Sequence, residues 1–558
     1  MQKNSFYKDI KLITILLIWT IIHISLFSLN HILKVADSFA YLQMSYYLKT
    51  FSLEWFWTWW FGFLYSLPIA ILDLFINSEL LSAKIVNIIL FNISAILLFN
   101  IWKLYLNKFY NYILIILFFL SPILLHFNIW ILSENLYIPL FLWLILFLHS
   151  YIKNINLKNN IILSLFIALL YLTRWEAFIY LWSIFIIWSF LLIQKQINFK
   201  KYLITWFTIL FSFLFFIYPY LVHLHNITWE WWLTNKWSSN LRQAILRWQN
   251  KMDDDWFEKA VAELTTDKHH LIAWFAWWLK YDKPNTNITL KSYFLNNPEQ
   301  TLKRWLNNQY KLYTKNIPEI ILWDAKLLFN NKHSSFYHNY LFWFILLLPI
   351  LLLIFWIYKI SISKHKDLII ITAPFFVIAS IFFTIFFTLN RYFLIFIPIF
   401  LIFILYWIQS IKIKNFWKYL RLILILNIIW IYSLWLISYY NTHKLDDNYR
   451  EIKKEAWLYL KQKYWEENNL KIMERFPITT YYSWTKNRFI TPYTDKLENV
   501  IEYAKYNKIN YLIVDSQDFK KYRQKLNYLL DENKKYNWLE IEKVFNKDNE
   551  KVIIYIIK

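Results

Sequence analysis

Two arginines that each stand alone in a short turn between apolar runs, and an aspartate one helical turn ahead of a tyrosine, offer the most chemistry in this chain. Asp37 lies in Val35-Ala-Asp-Ser-Phe-Ala-Tyr-Leu-Gln-Met-Ser-Tyr-Tyr-Leu48, just past the first apolar run, and Tyr41 follows on the same helical face. A carboxylate there can take the proton of an acceptor hydroxyl as a general base. It can as readily cap the helix it opens. Arg174 sits in Leu172-Thr-Arg-Trp-Glu176 and Arg391 in Asn390-Arg-Tyr392, while Ser133-Glu134-Asn-Leu-Tyr137 opens another apolar run. Ionisable groups at membrane depth mark functional sites by default, and phosphate is the natural ligand of a guanidinium. The competing role for both arginines is snorkelling to the interface. One carboxylate and two guanidiniums beside lipid suit an amphiphilic phosphate substrate. His223 and His225 are too few to define a metal site, and Asp253-Asp-Asp255 reads as a solvated turn. No Walker loop or dinucleotide fingerprint is present, so nothing points to ATP-driven work.

The elements that must carry these residues are membrane spans. Of 558 residues, 58% are hydrophobic and 17% charged, where a soluble domain carries about 25% charged. A bilayer core needs roughly 20 apolar residues in a helix. Runs of that kind predict about eleven spans, at 12–30, 80–102, 110–127, 130–151, 160–173, 176–194, 202–223, 339–358, 368–389, 391–410 and 422–440. The first lacks a small-residue cleavage site and reads as a retained span rather than a signal peptide. Lysine and arginine in short loops mark the cytoplasmic side. Lys3, Lys8, Lys11, Lys103, Lys108, Lys153, Lys158, Lys195, Lys359, Lys364, Lys412 and Arg421 all fall on one side under this count. The expected protein is a multi-pass plasma (inner) membrane protein with its N terminus cytoplasmic and its C terminus outside. The formal charge of +23 therefore belongs to membrane loops, and no nucleic acid is expected as partner. There is no cysteine, which excludes disulfides and thiol-zinc sites.

Three long segments then lie on the outer face, at 31–79, 225–338 and 441–558. The first carries Asp37 and Tyr41, and Arg174, Glu176, Glu134, Arg391 and Tyr392 reach the same face at span ends. The second is too long for an idle connection. In the third, apolar residues thin out and charges become frequent. Asn510–Asp515 and Lys551–Ile557 read as buried strands and residues 449–463 and 496–506 as helices, a small α/β domain. The fold class is thus an all-α polytopic membrane domain over 1–440, followed by an extracytoplasmic α/β domain over 441–558.

One compositional anomaly stands out. Gly62 is the only glycine, against 33 tryptophans, where about 7% glycine is usual. Tryptophans also occupy turn-like places, as in Ser483-Trp484-Thr485-Lys486 and in the stretch from Glu54 to Gly62. Indole cannot supply the backbone freedom that turns ask of glycine. A genetic code that reads UGA as glycine, translated here as tryptophan, would produce this pattern. An aromatic bias with interfacial tryptophan belts explains the enrichment but not the missing glycine.

At the residues set out above, the chain resembles the polytopic lipid-linked-sugar glycosyltransferases of the GT-C fold, the group of protein O-mannosyltransferases and aminoarabinose transferases. In that group an acid in the first outer loop precedes a tyrosine-rich amphipathic helix, as Asp37-Ser-Phe-Ala-Tyr41 does. Ser133-Glu134, Leu172-Thr-Arg-Trp-Glu176, Arg391-Tyr392, Tyr481-Tyr-Ser-Trp-Thr-Lys486 and Tyr511-Leu-Ile-Val-Asp515 resemble its further motifs. Two features depart from it. Ser38 stands where many members have a second acid, and 225–338 aligns with no motif beyond Thr228–Lys236. The resemblance implies inverting sugar transfer from a polyprenyl-phosphate sugar donor to a lipid, glycan or protein acceptor in contact with membrane lipid. It implies Asp37 as base, Arg174 and Arg391 as the phosphate clamp, and Tyr41, Glu134, Glu176 and Tyr392 as substrate-binding neighbours. No cofactor is assigned, and a divalent cation is compatible with the site. A ligase or polymerase of lipid-linked glycans is the nearest rival. A lipid-linked-sugar transporter is the next, although it should place its charges near span midpoints.

Peptide mass spectrometry across position 484 tests the recoding. A glycine mass is expected there, and an intact indole refutes it.

Overall fold

The structure is a computed structural model, and it describes residues 9–29, 36–51, 62–228, 233, 298–313, 366–386, 390–410, 426, 433, 447–464, 470–475, 487–491, 496–547 and 550–558. The expected span 339–358, all of 422–440 except residues 426 and 433, the tryptophan-rich stretch before Gly62 and the Tyr481–Lys486 turn lie outside these residues, as do Asp253–Asp255.

The first part of the chain is helical: α1 (Ile10–Leu29), α2 (Ala36–Lys49), α3 (Ser66–Ile76), α4 (Glu79–Trp102), α5 (Lys108–Leu120), α6 (Pro122–Ile129), α7 (Glu134–Tyr151), α8 (Leu157–Thr173), α9 (Tyr180–Ile193), α10 (Phe199–Thr228), α11 (Pro298–Lys311), α12 (Lys366–Phe386) and α13 (Ile397–Ser410). Short 3-10 turns at Trp175–Ile179 and Asn390–Phe396 lead into α9 and α13. Asparagine and serine fix several starts: Ser78, Asn107 and Asn156 accept from the backbone of Leu81, Tyr110 and Asn159. One apolar core, running from Leu12 to Leu405, joins these helices.

The eleven expected spans exceed what helix length alone establishes. Among the described residues, three helices are long and apolar enough to cross a membrane: Glu79–Trp102, Trp175–Ile193 and Phe199–Asn226. A fourth is reached if Lys108–Leu120 and Ile123–Ile129, inclined at 53°, form one broken span. The break falls at Ser121-Pro122, where proline lacks the N–H that would continue the helix. Shorter apolar helices occupy the expected places at Ile10–Leu26, Leu157–Thr173, Leu368–Thr384 and Arg391–Tyr406. The helix Ser66–Ile76, inside the first expected outer loop, was not anticipated.

The C-terminal part follows the expected α/β pattern. Helix α14 (Asp447–Lys463) precedes β1 (Lys471–Glu474) and β2 (Asn487–Ile490). Next come α15 (Leu497–Tyr506), β3 (Tyr511–Asp515), α16 (Ser516–Tyr522), β4 (Leu539–Lys547) and β5 (Glu550–Ile557). The sheet order is β2-β1-β3-β5-β4, parallel across the first three strands and antiparallel across the last pairs. Every residue of β3 is buried, as expected for a central strand covered on both faces. Tyr511 and Ile513 pack with Ile452, Ala456 and Leu460 of α14. Leu512 and Val514, pointing the other way, pack with Val500, Ile501 and Ala504 of α15. A register shift between Ile541 and Lys543 bulges Glu542 out of the β4–β5 ladder, where it meets Tyr459 and Lys463 of α14.

Beneath α14, Lys453 is fully buried between two carboxylates, 3.2 Å from Asp515 and 3.0 Å from Asp518. Asp515 also caps α16, accepting from the Asp518 N–H at 2.8 Å. Burial, followed by the charge of Asp518, pushes the Asp515 carboxyl up to about 7. Burial also works to raise Asp518, but the Lys453 charge holds it below the usual carboxylate range. One lysine thus sustains one ionised partner. A folded-state value for Asp515 above its unfolded one contributes stability below the unfolded value, and this is lost as pH rises from about 4 to 7. Asp515→Asn, which keeps the cap, is expected to remove that slope and to be tolerated at pH 8. Asp518→Asn should cost about 3–5 kcal/mol by stripping the lysine of its ionised partner. Limited proteolysis of residues 447–558 in the intact protein under graded denaturant reads both.

Candidate active site

The site is built where helix ends meet. Helix α8 ends at Arg174, whose backbone is extended (φ −148°, ψ 117°) while its N–H still donates to the Leu170 carbonyl at 2.8 Å. The extended residue turns the chain into the Trp175–Ile179 turn, and its side chain leaves the helix axis. There the guanidinium, 7% exposed, forms an ion pair with Glu134 at the first position of α7 and another with Glu176 at 3.3 Å. Two tyrosine rings complete its surroundings, Tyr137 at 5.8 Å and Tyr392 at 5.4 Å from the guanidinium carbon. Tyr392 stacks on Phe383 of α12 at 4.6 Å and 9°, and Arg391 lies 5.8 Å from the Tyr392 ring. Glu134, Arg174, Glu176, Arg391 and Tyr392, far apart in sequence, therefore share one locus.

Tyr41 reaches the same locus from α2. It is buried, set edge-on to Tyr65 at 5.1 Å, and close enough to act electrostatically on Arg174. Its carbonyl accepts from Ser66 Oγ at 2.9 Å, which joins the start of α3 to α2. At their far ends the two helices are tied again. Lys49 donates to the Asp73 carboxylate at 2.8 Å and to Asn77, the left-handed cap of α3, at 3.0 Å. Asp37 is the second residue of α2, in its first turn. Its side chain lies outside the described residues. His225 lies in the last turn of α10.

Gly62 brings the segment that leads into α3 onto this locus. A Cβ there would stand 2.2 Å from the Leu172 carbonyl oxygen and 2.4 Å from that of Thr173. The neighbouring Leu64 N–H donates to the same Leu172 oxygen at 3.4 Å. The chain's single glycine thus sits against the backbone that ends in Arg174.

Sequence reasoning passed over a set of buried asparagines behind Glu134. Tyr65 donates to Asn87 Oδ1 at 2.6 Å. Asn87 donates to the carbonyls of Asn128 and Trp130, at 2.8 and 3.1 Å. Asn128 donates to Asn135 Oδ1 at 2.9 Å, and Asn135 returns to the Trp130 carbonyl at 2.8 Å. The network satisfies the backbone that the α6–α7 turn exposes. Its signal was available, since uncharged polar residues within apolar runs also need partners. Asp73, in the apolar run Ser66–Ile76, gave the same signal.

No protein-family model matches this chain, and no curated protein is similar to it in sequence. Solved structures are similar in fold. ArnT from Cupriavidus metallidurans, bound to undecaprenyl phosphate, matches with a TM-score of 0.53 at 7% identity over 98% of this chain and 97% of that one. The archaeal oligosaccharyltransferase AglB from Archaeoglobus fulgidus, in complex with an inhibitory peptide and a dolichol-phosphate, matches with 0.50 at 10% identity over 92% and 70%. The Archaeoglobus fulgidus oligosaccharyltransferase tethered to an acceptor peptide matches with 0.52 at 10% identity over the same shares. At such identities the likeness shows the fold alone, and that fold is GT-C.

Gly62→Ala has no room for its methyl group without moving backbone, so a loss of about 1–3 kcal/mol is expected, the range of overpacked sites. Thermal unfolding in detergent reads this loss. Substitution at the exposed Phe51 should leave the transition in place.

Proposed function

We propose that this chain is an integral membrane glycosyltransferase that moves a sugar from a polyprenyl-phosphate donor to a hydroxyl acceptor at the outer face. The carrying observation is the buried Arg174, held between Glu134 and Glu176 and against Tyr392, at the meeting of helix ends in a GT-C fold. The similarity to proteins solved with dolichol-phosphate and undecaprenyl phosphate supports a polyprenyl-phosphate carrier. The reading includes about eleven spans, a cytoplasmic N terminus, a transmembrane domain over 1–440 and an extracytoplasmic domain over 441–558. The acceptor class stays as broad as lipid, glycan or protein.

In the proposed reaction the acceptor oxygen attacks the anomeric carbon. The bond from that carbon to the phosphate oxygen breaks, with inversion, and polyprenyl phosphate departs. Asp37 receives the acceptor proton. The leaving phosphate is a good leaving group, so electrostatic stabilisation of its charge suffices in place of a general acid.

The two arginines divide the phosphate clamp unequally in this reading. Two carboxyl groups already face Arg174, so the triad is formally anionic and a poor phosphate receptor as it stands. Its part is to hold Tyr392, and through Tyr392 the neighbouring Arg391, which meets the phosphate. Glu134 and Glu176 orient Arg174 and line the sugar.

The test offers a panel of radiolabelled polyprenyl-phosphate sugars to membranes containing the protein, with glycine at the suspect tryptophan positions. Turnover of one donor is expected, lost in Asp37→Asn by about a hundredfold or more, as befits a general base. Arg391→Ala should raise the donor KM more than it lowers kcat. Consumption of no donor, with a labelled lipid crossing the bilayer instead, makes the protein a transporter.

A further inference from the structure

Helix α11 packs in an unusual sense, with its polar side against protein and apolar side chains outward. Trp305 Nε1 donates to the Ile381 carbonyl at 3.3 Å and Asn308 Nδ2 to the Thr384 carbonyl at 2.9 Å. Gln309 Nε2 reaches the Ser380 carbonyl at 3.2 Å and Thr384 Oγ1 at 2.8 Å. All of these acceptors lie on the last two turns of α12. At 1.5 Å per residue, they sit about 3–9 Å before its end at Phe386. Helix α11 therefore lies along the flank of an apolar helix, near its C-terminal end.

Leu302, Leu306 and Tyr310 lie on the side opposite the buried Thr301 and Arg304 and are exposed, Tyr310 by 67%. At 3.6 residues per turn the three fall within a sector of about 80°. Tyr313, past the helix end, instead meets the Phe376 ring of α12 edge-on at 6.4 Å. The rest of the helix is polar, and Glu299, which shares the sector's first turn, is paired with Lys303 at 2.6 Å. A stripe of this kind on a polar helix is costly in water and is the signature of an interfacial helix. The patch continues onto α12, where Val377 and Ile381 are also exposed. Lys303 and Lys311 flank the stripe, as suits phosphate headgroups above acyl chains.

We infer that α11 is a membrane-interfacial helix. Its Leu302–Leu306–Tyr310 stripe is seated among the acyl chains of the leaflet from which the end of α12 emerges. The occupant is bilayer lipid, so the inference goes beyond the transferase reading and does not depend on it.

The chain has no cysteine, so single cysteines can be placed without removing native ones. Leu306→Cys and Tyr310→Cys, with Gln300→Cys as an exposed comparison, are labelled with a nitroxide in full-length protein. The protein is reconstituted into phosphatidylcholine–phosphatidylglycerol nanodiscs lacking polyprenyl phosphate. Collisions with oxygen are expected to dominate those with a water-soluble nickel chelate at 306 and 310, and the order to reverse at 300. Nickel contact at 306 and 310 equal to that at 300 overturns the inference, because the stripe is then in water. Exclusion of both reagents overturns it too, because protein then covers the stripe. Unsubstituted protein in bilayers doped with an acyl-chain diazirine lipid provides a second measurement. Crosslinks are expected within 302–310, and their absence there, with crosslinks on α12, counts against the inference.

Discussion

A guanidinium removed from water must be compensated where it lies, and for Arg174 that requirement shapes the site. Leaving such a charge buried without partners costs several kcal/mol. The partners here come from separate places: Glu134 from the start of α7, Glu176 from the turn after α8, and the Tyr137 and Tyr392 rings from α7 and the turn before α13. None of these elements can drift without exposing a carboxylate or an arginine to an apolar core. The ion pairs are therefore better understood as a specification of geometry than as a source of net stability. A well-packed apolar replacement of a buried ion pair is often as stable.

The requirement extends outward through backbone contacts. Glu134 can reach Arg174 only if α7 starts where it does, directly after the bent α5–α6 pair. The turn from α6 into α7 leaves carbonyls at Phe127, Asn128 and Trp130 outside regular helix bonding, and the amides of Asn87 and Asn135 satisfy them. On the other side of Arg174, the backbone of Leu172 and Thr173 is covered by Gly62, where no side chain fits. Tyr65, three residues further on, closes the circuit by touching both Tyr41 and Asn87. The loop that bears Asp37 and the helices that hold Arg174 are thus one packed unit. Polar groups within its helices, such as Asn87 and Ser164, find their partners inside the protein.

Much of this was legible in the residues, and the boundary of legibility has a physical reason. Motifs whose meaning is local came through: the apolar runs, the isolated arginines, the alternating faces of Tyr511–Asp515 and the helices at 449–463 and 496–506. Charges in apolar surroundings announce that a partner exists, so Glu134, Arg174, Glu176, Arg391 and Tyr392 could be singled out together. Which groups pair could not be read, because Glu134 and Arg174 are 40 residues apart and their meeting depends on helix packing. Helix Ser66–Ile76 escaped because a run of eleven residues is too short to span a membrane. The count of eleven spans went further than helix length supports, since several of the helices are shorter than a bilayer requires. Strand order in the C-terminal sheet depends on crossovers, which local pattern does not encode.

The tryptophans can be weighed against the same frame. An interfacial belt sets indoles at the membrane surface with the ring N–H in water. Trp19, Trp102 and Trp188 are instead buried inside the helical core, 5%, 0% and 1% exposed. The indole nitrogens of Trp19 and Trp102 meet no acceptor among the described residues, although a buried donor left unmade costs about 1–3 kcal/mol. A belt therefore does not account for these positions, nor does a general aromatic bias, which would favour phenylalanine wherever no partner for the N–H exists. Gly62 carries the complementary lesson, because the one glycine encoded as such stands where a Cβ would collide with backbone. A chain that needs close backbone approach there, and spends indoles without acceptors elsewhere, behaves as though one codon were carrying two meanings.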